Sequence, residues 1–201
     1  FTMTLPIEVS ETPHPTDTQF FQKPAASASG VAGPVVLVID DDPGMGDLMQ
    51  RSLGKDGYRS LAVPTDVSDE RSTKAMATRV LEAFGRIDVL INNAAIFATI
   101  PMTRRPIDEV PSDEWDRMML VNLKGVFFCC RAVLPAMRRQ GSGSIINISS
   151  GTVFAGSPTR IHYVTSKAGV LGFTRFLAHE EGPNGVRVNT ITPGSTLSEA
   201  D

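Results

Sequence analysis

Short apolar runs alternate with longer stretches of helical spacing along most of the chain. Val35–Ile39 is a continuous apolar run of the kind a parallel strand buried on both faces requires. Met45, Leu48, Met49 and Leu53 then recur at helical spacing, and Gly54 or Gly57 is placed to end that helix. Arg59–Val63 predicts a second strand, closed by Asp66-Val67. Ser68 can cap a helix whose Met76, Val80, Leu81 and Phe84 form one face. Ile87–Ile91 predicts another strand, followed at once by Asn92-Asn93-Ala94-Ala95. Residues 96–111 carry Pro101, Pro106 and Pro111 and predict a loop. Ser112 can cap a long helix with Trp115, Met119, Leu123, Val126, Phe127, Cys130 and Leu134 inward, and Pro135 should kink or end it. Asn122 lies near that apolar stripe, where a polar side chain needs a partner. A strand over 144–149, a loop to about 160, a helix from about 161 to 180 and a last strand over Val186–Ile191 follow, then Thr192-Pro193-Gly194.

This alternation predicts an α/β fold with a doubly wound parallel sheet. Ligands of such sheets bind outside the carboxyl ends of the strands. Asp66, Asn93, Ser150 and Pro193-Gly194 fall at that edge.

Composition changes the picture mainly at the amino end. Phe1 to Ile7 alternates like the end of a strand, and residues 9–33, with Pro13, Pro15, Pro24 and a run of Ala, Ser and Gly, read as a flexible linker. The domain proper is therefore expected over 34–201. A net charge of −3 excludes a broad nucleic-acid footprint. No apolar run reads as long enough to span a bilayer and no signal peptide is visible, so neither a membrane nor a nucleic acid is expected as partner. Cys129 and Cys130 are adjacent and cannot staple distant segments; they read as small buried apolar residues, in keeping with a cytoplasmic location. His14, His162 and His179 suggest no chemistry, and no metal site is expected.

The chemistry concentrates between Gly143 and Lys167. Tyr163 and Lys167, at i and i+4, share one face of the predicted helix. An ammonium beside a phenol favours the phenolate. With the Ser150 hydroxyl at a strand end, this makes a proton-transfer site for a carbonyl or an alcohol.

Asp66-Val67, Asn-Asn-Ala-Ala at 92–95, Asn122, Ser150, Tyr163-x-x-x-Lys167 and Pro193-Gly194, in that order and spacing, make residues 61–201 resemble the short-chain dehydrogenase/reductase family, classical type. The resemblance implies a Rossmann-like fold, here incomplete at both ends. It also implies an NAD- or NADP-dependent oxidoreductase acting on a small-molecule alcohol or ketone. Tyr163 would be the general acid/base, and Lys167 would tune it and hold the nicotinamide ribose. Ser150 would bond the substrate oxygen, and Asn122 would hold a water in a proton relay. Asp66 and Val67 would contact the adenine, and Asn93, Ala94 and Ala95 would pass the ribose. Pro193, Gly194 and Thr196 would meet the nicotinamide, and Ser198 the pyrophosphate. Relatives form homo-oligomers through the two long helices, here 112–138 and 161–180, and the loop 96–111 would set the substrate.

The amino-terminal part departs from that pattern. Where the family has a Gly-rich turn, this chain reads Ile39-Asp40-Asp41-Asp42-Pro43-Gly44-Met45-Gly46. Gly44 and Gly46 fall in register and are carried over as cofactor-binding, but three acids precede them. A carboxylate about 5 Å from a phosphate costs on the order of 3 kcal/mol per charge pair at an effective dielectric near 20. From Gly46 to Asp66 there is room for one helix and one strand, where the family fits a further strand and helix. Residues 34–59 resemble instead the start of a response-regulator receiver domain, with Asp40 and Asp41 as its acidic pair. A chimera joined near 57–62, with a receiver-like β-α unit over 34–60 running into one continuous sheet, is one reading. The alternatives are a truncated or diverged dehydrogenase, a catalytically inactive Rossmann-like fragment and a receiver-type signalling module.

Overall fold

The computed structural model describes residues 35–40, 43–55, 59–97, 102–156 and 158–194. All lie within the unit Pro34–Asp201. Expectations for residues 1–33, Asp41, Asp42, Thr196 and Ser198 fall outside the described residues.

The apolar runs form parallel strands. β1 (Val35–Asp40) and β2 (Arg59–Pro64) pair from Val35↔Arg59 to Asp40↔Pro64, joined through α1 (Pro43–Lys55). β3 (Val89–Asn92), β4 (Gly143–Ile148) and β5 (Val186–Ile191) form a second parallel sheet in that order. Among the described residues these are two sheets, of two and three strands, where the sequence suggests one. Parallel pairing demands long crossovers. α2 (Glu70–Phe84) leads from β2 to β3. A 29-residue helical run over Ser112–Gln140 leads to β4. α5 (Thr152–Ala155) and α6 (Ile161–Glu181) lead to β5. The β4–β5 ladder continues past the strand ends, with Ser149 N–H on Ile191 O and Gly151 N–H on Pro193 O, both at 2.8 Å.

The core lies where α2, α4 and α6 cover one face of the three-stranded sheet. Met76, Val80, Leu90, Val133, Met137, Ile145, Val170 and Val186 are all buried in it. On the opposite face Val89 and Ile91 are about half exposed. A smaller cluster of Ile96, Met118 and Tyr163 adjoins the strand ends.

The long helix is interrupted. α3 (Ser112–Met119) passes through a π-helical turn, Leu120–Lys124, into α4 (Gly125–Gln140). The extra residue in that turn rotates the buried face. Phe128 and Cys129 are therefore buried, while Phe127, expected inward, is 39% exposed with the Arg131 guanidinium over its ring. The helix runs through Pro135 instead of ending there; Pro135 is exposed, so the carbonyl it leaves unpaired is open to water. Ser112 begins α3 without capping it. Asp69, not Ser68, caps α2 by accepting the Arg71 N–H, because Ser68 donates both its N–H and its hydroxyl to Asp66. By length and composition the 112–140 run is long and apolar enough to cross a membrane, contrary to the sequence expectation. Its buried residues pack in the core with α2 and the sheet. Cys129 and Cys130 are free and buried, and burial pushes both thiols up to about 12.

Candidate active site

The carboxyl ends of β3 and β4 carry paired amides. Asn92 and Asn147 are register partners, and Asn92 Nδ2 donates to Asn147 Oδ1 at 2.8 Å. Asn147 Nδ2 then donates to Thr174 Oγ1 at 2.9 Å, which ties β4 to α6. Buried polar groups must be paired, and here the pairing fixes the strand ends against the helix that carries Tyr163 and Lys167.

Lys167 is 4% exposed. Its ammonium donates to Ile148 O at 2.8 Å, and its backbone carbonyl accepts the Ser149 hydroxyl at 2.7 Å. Burial lowers its pKa from 10.5 to about 8. Tyr163, one helical turn earlier, is 5% exposed; its ring packs with Ile96 and Met118 and lies 5.2 Å from the Phe97 ring. Ser150, buried, accepts from the Thr152 hydroxyl at 2.9 Å and from the Thr152 N–H at 3.3 Å. As both are bonds to its lone pairs, its own proton is left to donate. The 149–151 segment is held to Ile191 and Pro193, which brings Ser150 beside Pro193-Gly194.

Asn122 is 1% exposed in the π-helical turn. Its Oδ1 accepts the Ile96 N–H at 2.7 Å, and its Nδ2 donates to Ile96 O and Ser166 Oγ, each at 3.3 Å. Ser166 in turn donates to Tyr163 O at 2.7 Å. Gly169 permits this close approach, since a Cβ there would stand 2.8 Å from Leu123 Cδ2.

The remaining expected residues are more dispersed. Asp66 is exposed, its carboxylate taken by Ser68. Val67 packs on Gly125, where a Cβ would come within 3.1 Å of it. Asn93 is exposed and Ala94 and Ala95 half-buried on the segment after β3. Pro193 and Gly194 are exposed. Gly44 and Gly46 lie in the first turn of α1, which packs on β1 and β2.

Sequence reasoning missed Asn147, Ser149 and Ser166. Asn147 had a signal, because a polar residue inside the apolar run of β4, on the face it shares with Ile145, needs a partner. It also missed a pair of buried His162 with part-buried Glu114, whose Nε2 and Oε1 lie 2.9 Å apart. Burial alone would raise the Glu114 carboxyl, but hydrogen bonds from Thr103 and His162 hold it below the usual range.

The donor set suits a nucleotide sugar. Lys167 is a buried cation with one hydrogen bond to a described residue, leaving two ammonium protons for hydroxyl acceptors. The phosphate end is less favourable: α1 offers a helix amino-terminus with no acid in its first turn, but Asp40, Asp41 and Asp42 precede it.

A family model for short chain dehydrogenases matches residues 23–201. That match includes residues 34–59, so it gives no support to a receiver origin for them. The chain is 41% identical over 143 residues to a 3-oxoacyl-[acyl-carrier-protein] reductase, FabG, of Staphylococcus aureus (strain N315), covering 71% of this chain and 56% of that protein. It is 34% identical over 174 residues to a D-threitol dehydrogenase of Mycolicibacterium smegmatis, covering 87% of this chain and 65% of that one. The crystal structure of an NAD+-bound xylitol dehydrogenase superposes with a TM-score of 0.76 at 28% identity, over 83% of this chain and 62% of the other. The chain thus spans between a half and two thirds of the length of these relatives.

Proposed function

The chain belongs to the short chain dehydrogenase family, and on that premise we propose that it is an NAD- or NADP-dependent oxidoreductase interconverting a small-molecule alcohol and a ketone. The observation that carries the reading is Lys167. Burying an ammonium costs stability, and this one keeps protons to spare one turn from a buried tyrosine and at the end of the strand that leads into Ser150.

In this reading the bound nicotinamide supplies or accepts hydride at the substrate carbon. Tyr163 gives its proton to the carbonyl oxygen in reduction and takes it back in oxidation. Ser150, whose lone pairs are engaged by Thr152, donates to the same oxygen and orients it. Lys167 holds ribose hydroxyls and stabilises the phenolate. Asn122 contributes by fixing Ile96 and Ser166, since its carboxamide is engaged by those groups. Asp66, Val67, Asn93, Ala94, Ala95, Pro193 and Gly194 line the cofactor's path, with Gly44 and Gly46 at its phosphates. The exposed Phe127 and Phe176 on α4 and α6 suit pairing with a second copy of the chain.

Titration with NADH and NADPH tests the binding step. Enhanced nicotinamide fluorescence is expected, and none at millimolar nucleotide would mean a catalytically inactive member of the family. Turnover is tested with NAD+ and xylitol or D-threitol, and with NADPH and a 3-oxoacyl thioester. Tyr163→Phe should abolish it while nucleotide binding persists; an active variant would exclude Tyr163 as the acid.

One observation favours a second reading for residues 34–59 alone. β1 and β2 form their own two-stranded sheet, and β1 ends in Asp40, as a receiver-like β-α unit would. Magnesium-dependent labelling of the whole chain by acetyl phosphate would support it, and its absence would dismiss it.

A further inference from the structure

Glu114, Met118 and Asn122 recur at four-residue spacing and make one stripe along α3 into the π-helical turn. His162 and Ser166 make a facing stripe on α6. The stripes are joined at both ends, by Glu114 Oε1 with His162 Nε2 at 2.9 Å and by Asn122 Nδ2 with Ser166 Oγ at 3.3 Å. Met118, fully buried, lies between those ends in the stripe and packs with Tyr163. Tyr163 and Lys167 each stand one residue further along α6, about 100° round the helix. The rotation that sets residues 162 and 166 against α3 therefore sets 163 and 167 toward the end of β4, where Lys167 meets Ile148 O.

Glu114 makes a second attachment. Its Oε1 accepts the Thr103 N–H at 2.6 Å and its Oε2 accepts the Thr103 hydroxyl at 2.8 Å. Thr103 follows Met102, which packs against the cluster of Ile96, Met118 and Tyr163. The His162 imidazole is fully buried, and its Nδ1 has no hydrogen-bond partner among the described residues, so Glu114 is its anchor there.

We propose that Glu114 is a positioning residue for the reaction. Through His162 it fixes the rotation of α6 that presents Tyr163, and through Thr103 it fixes Met102 against the cluster that holds that tyrosine. The proposal rests on Tyr163 acting as the acid/base.

The test compares the wild-type chain with Glu114→Ala and Glu114→Gln. Three quantities are read: deuterium exchange at the Thr103 amide, tryptic cleavage of the exposed Arg104–Arg105 bond, and kcat and KM with NAD+ and xylitol or D-threitol, or NADPH and a 3-oxoacyl thioester. Glu114→Ala should speed exchange and cleavage at least tenfold. It should lower kcat about ten- to a hundredfold, the scale of a misplacement near 1 Å, while KM for the nucleotide stays within about twofold. Glu114→Gln keeps an acceptor for Thr103 N–H and His162 Nε2–H and can donate to Thr103 Oγ1, so it should recover kcat to within about threefold. Unchanged exchange and cleavage in Glu114→Ala overturn the attachment. Faster exchange with unchanged kcat, or a KM rise equal to the kcat loss, overturns the positioning role. Should Glu114→Ala fail to fold, Thr103→Val reads the loop attachment and Glu114→Gln against His162→Phe reads the helix attachment by the same criteria. A wild-type chain inert to every probe removes the oxidoreductase reading and with it the positioning role, and the exchange result then keeps or dismisses the attachment alone.

Discussion

Replacing Lys167 with methionine should stabilise the fold while destroying its proposed use. The side chain is 4% exposed and donates to Ile148 O. Burial brings its pKa from 10.5 to about 8. At about 1.4 kcal/mol for each tenfold, that difference is a cost on the order of 3 kcal/mol for keeping the ammonium charged in the fold near neutral pH. Methionine fills a similar volume and removes the charge. The lost hydrogen bond to the Ile148 carbonyl takes back about 1.5 kcal/mol, leaving a net gain of about 1–2 kcal/mol. The sign of the pH dependence follows from linkage. Below about pH 8 the lysine is protonated folded and unfolded, so the cost is fully present. Between about 8 and 10.5 the unfolded chain binds more protons than the folded one, so wild-type stability rises with pH relative to the variant. Urea unfolding of both proteins at pH 7, 8, 9 and 10 reads the difference, and groups that titrate alike in both proteins cancel from it. A variant less stable than wild type at pH 7, or a difference that stays flat from pH 8 to 10, would refute the claim that Lys167 is a buried cation. Nucleotide binding should fall in the same variant.

Four further outcomes follow from the same geometry. Asn122→Ala strands the buried Ile96 N–H and carbonyl, and should cost about 2–4 kcal/mol in urea unfolding; a loss under about 1 kcal/mol would mean that water replaces the amide. Arg138→Ala leaves the fully buried Glu181 carboxylate without its guanidinium and should cost about 3 kcal/mol at pH 7, toward the low end for a buried pair because Arg138 is itself part exposed. Since Arg138 is the main cause holding the Glu181 carboxyl low, stability from that group is present above its ordinary 4.5 and lost as pH falls through the folded value, so the variant's acid limb should be flatter. Asp40→Gly should tighten nucleotide binding, by up to about a hundredfold if one carboxylate opposes one phosphate at about 5 Å, and equal affinity would clear the acid of blame. Tyr163→Phe, with turnover gone and binding intact, separates proton transfer from assembly of the site.

The strands and the larger helices were legible because their signals are local, whereas the division into two sheets was not. β1 follows from one apolar run, Val35–Ile39, and α2 from the face of Met76, Val80, Leu81 and Phe84. The π-helical turn was not legible, since no hydrophobic period encodes one extra residue, and so Phe127 was placed inward where Phe128 is the buried ring. Ser68 and Asp69 are both competent caps, and what decides between them is that Asp66 takes the serine. In the site, the Tyr163–Lys167 face was visible from spacing, as was the need of Asn122 for a partner. The partner itself was not, because Ile96 is 26 residues away, and neither was the Glu114–His162 pair, 48 residues apart. Tertiary pairing of polar groups carries no periodic trace in a single chain.

The two halves of the proposed site are borne by different sheets, and this bears on how each can fail. Every group proposed for proton transfer is fastened to the three-stranded sheet or to the helices on its covered face. Lys167 is held to the end of β4, Ser150 to the β4–β5 extension, and Tyr163 to α3 and the π-helical turn through Ser166 and Asn122. These attachments are buried hydrogen bonds among close-packed side chains, so they are set by folding and need no nucleotide to form. Asp40, Gly44 and Gly46, proposed for the phosphate end, belong instead to β1 and to the helix that joins it to β2, in the two-stranded sheet. If Asp40 opposes a phosphate, its charge should act on nucleotide affinity without moving the tyrosine. A change there should appear in KM for the nucleotide and leave kcat at saturation unaltered, whereas a change at Asn122 should appear in kcat. An Asp40→Gly protein whose kcat shifts as much as its KM would show that the two sheets do not divide the work in this way.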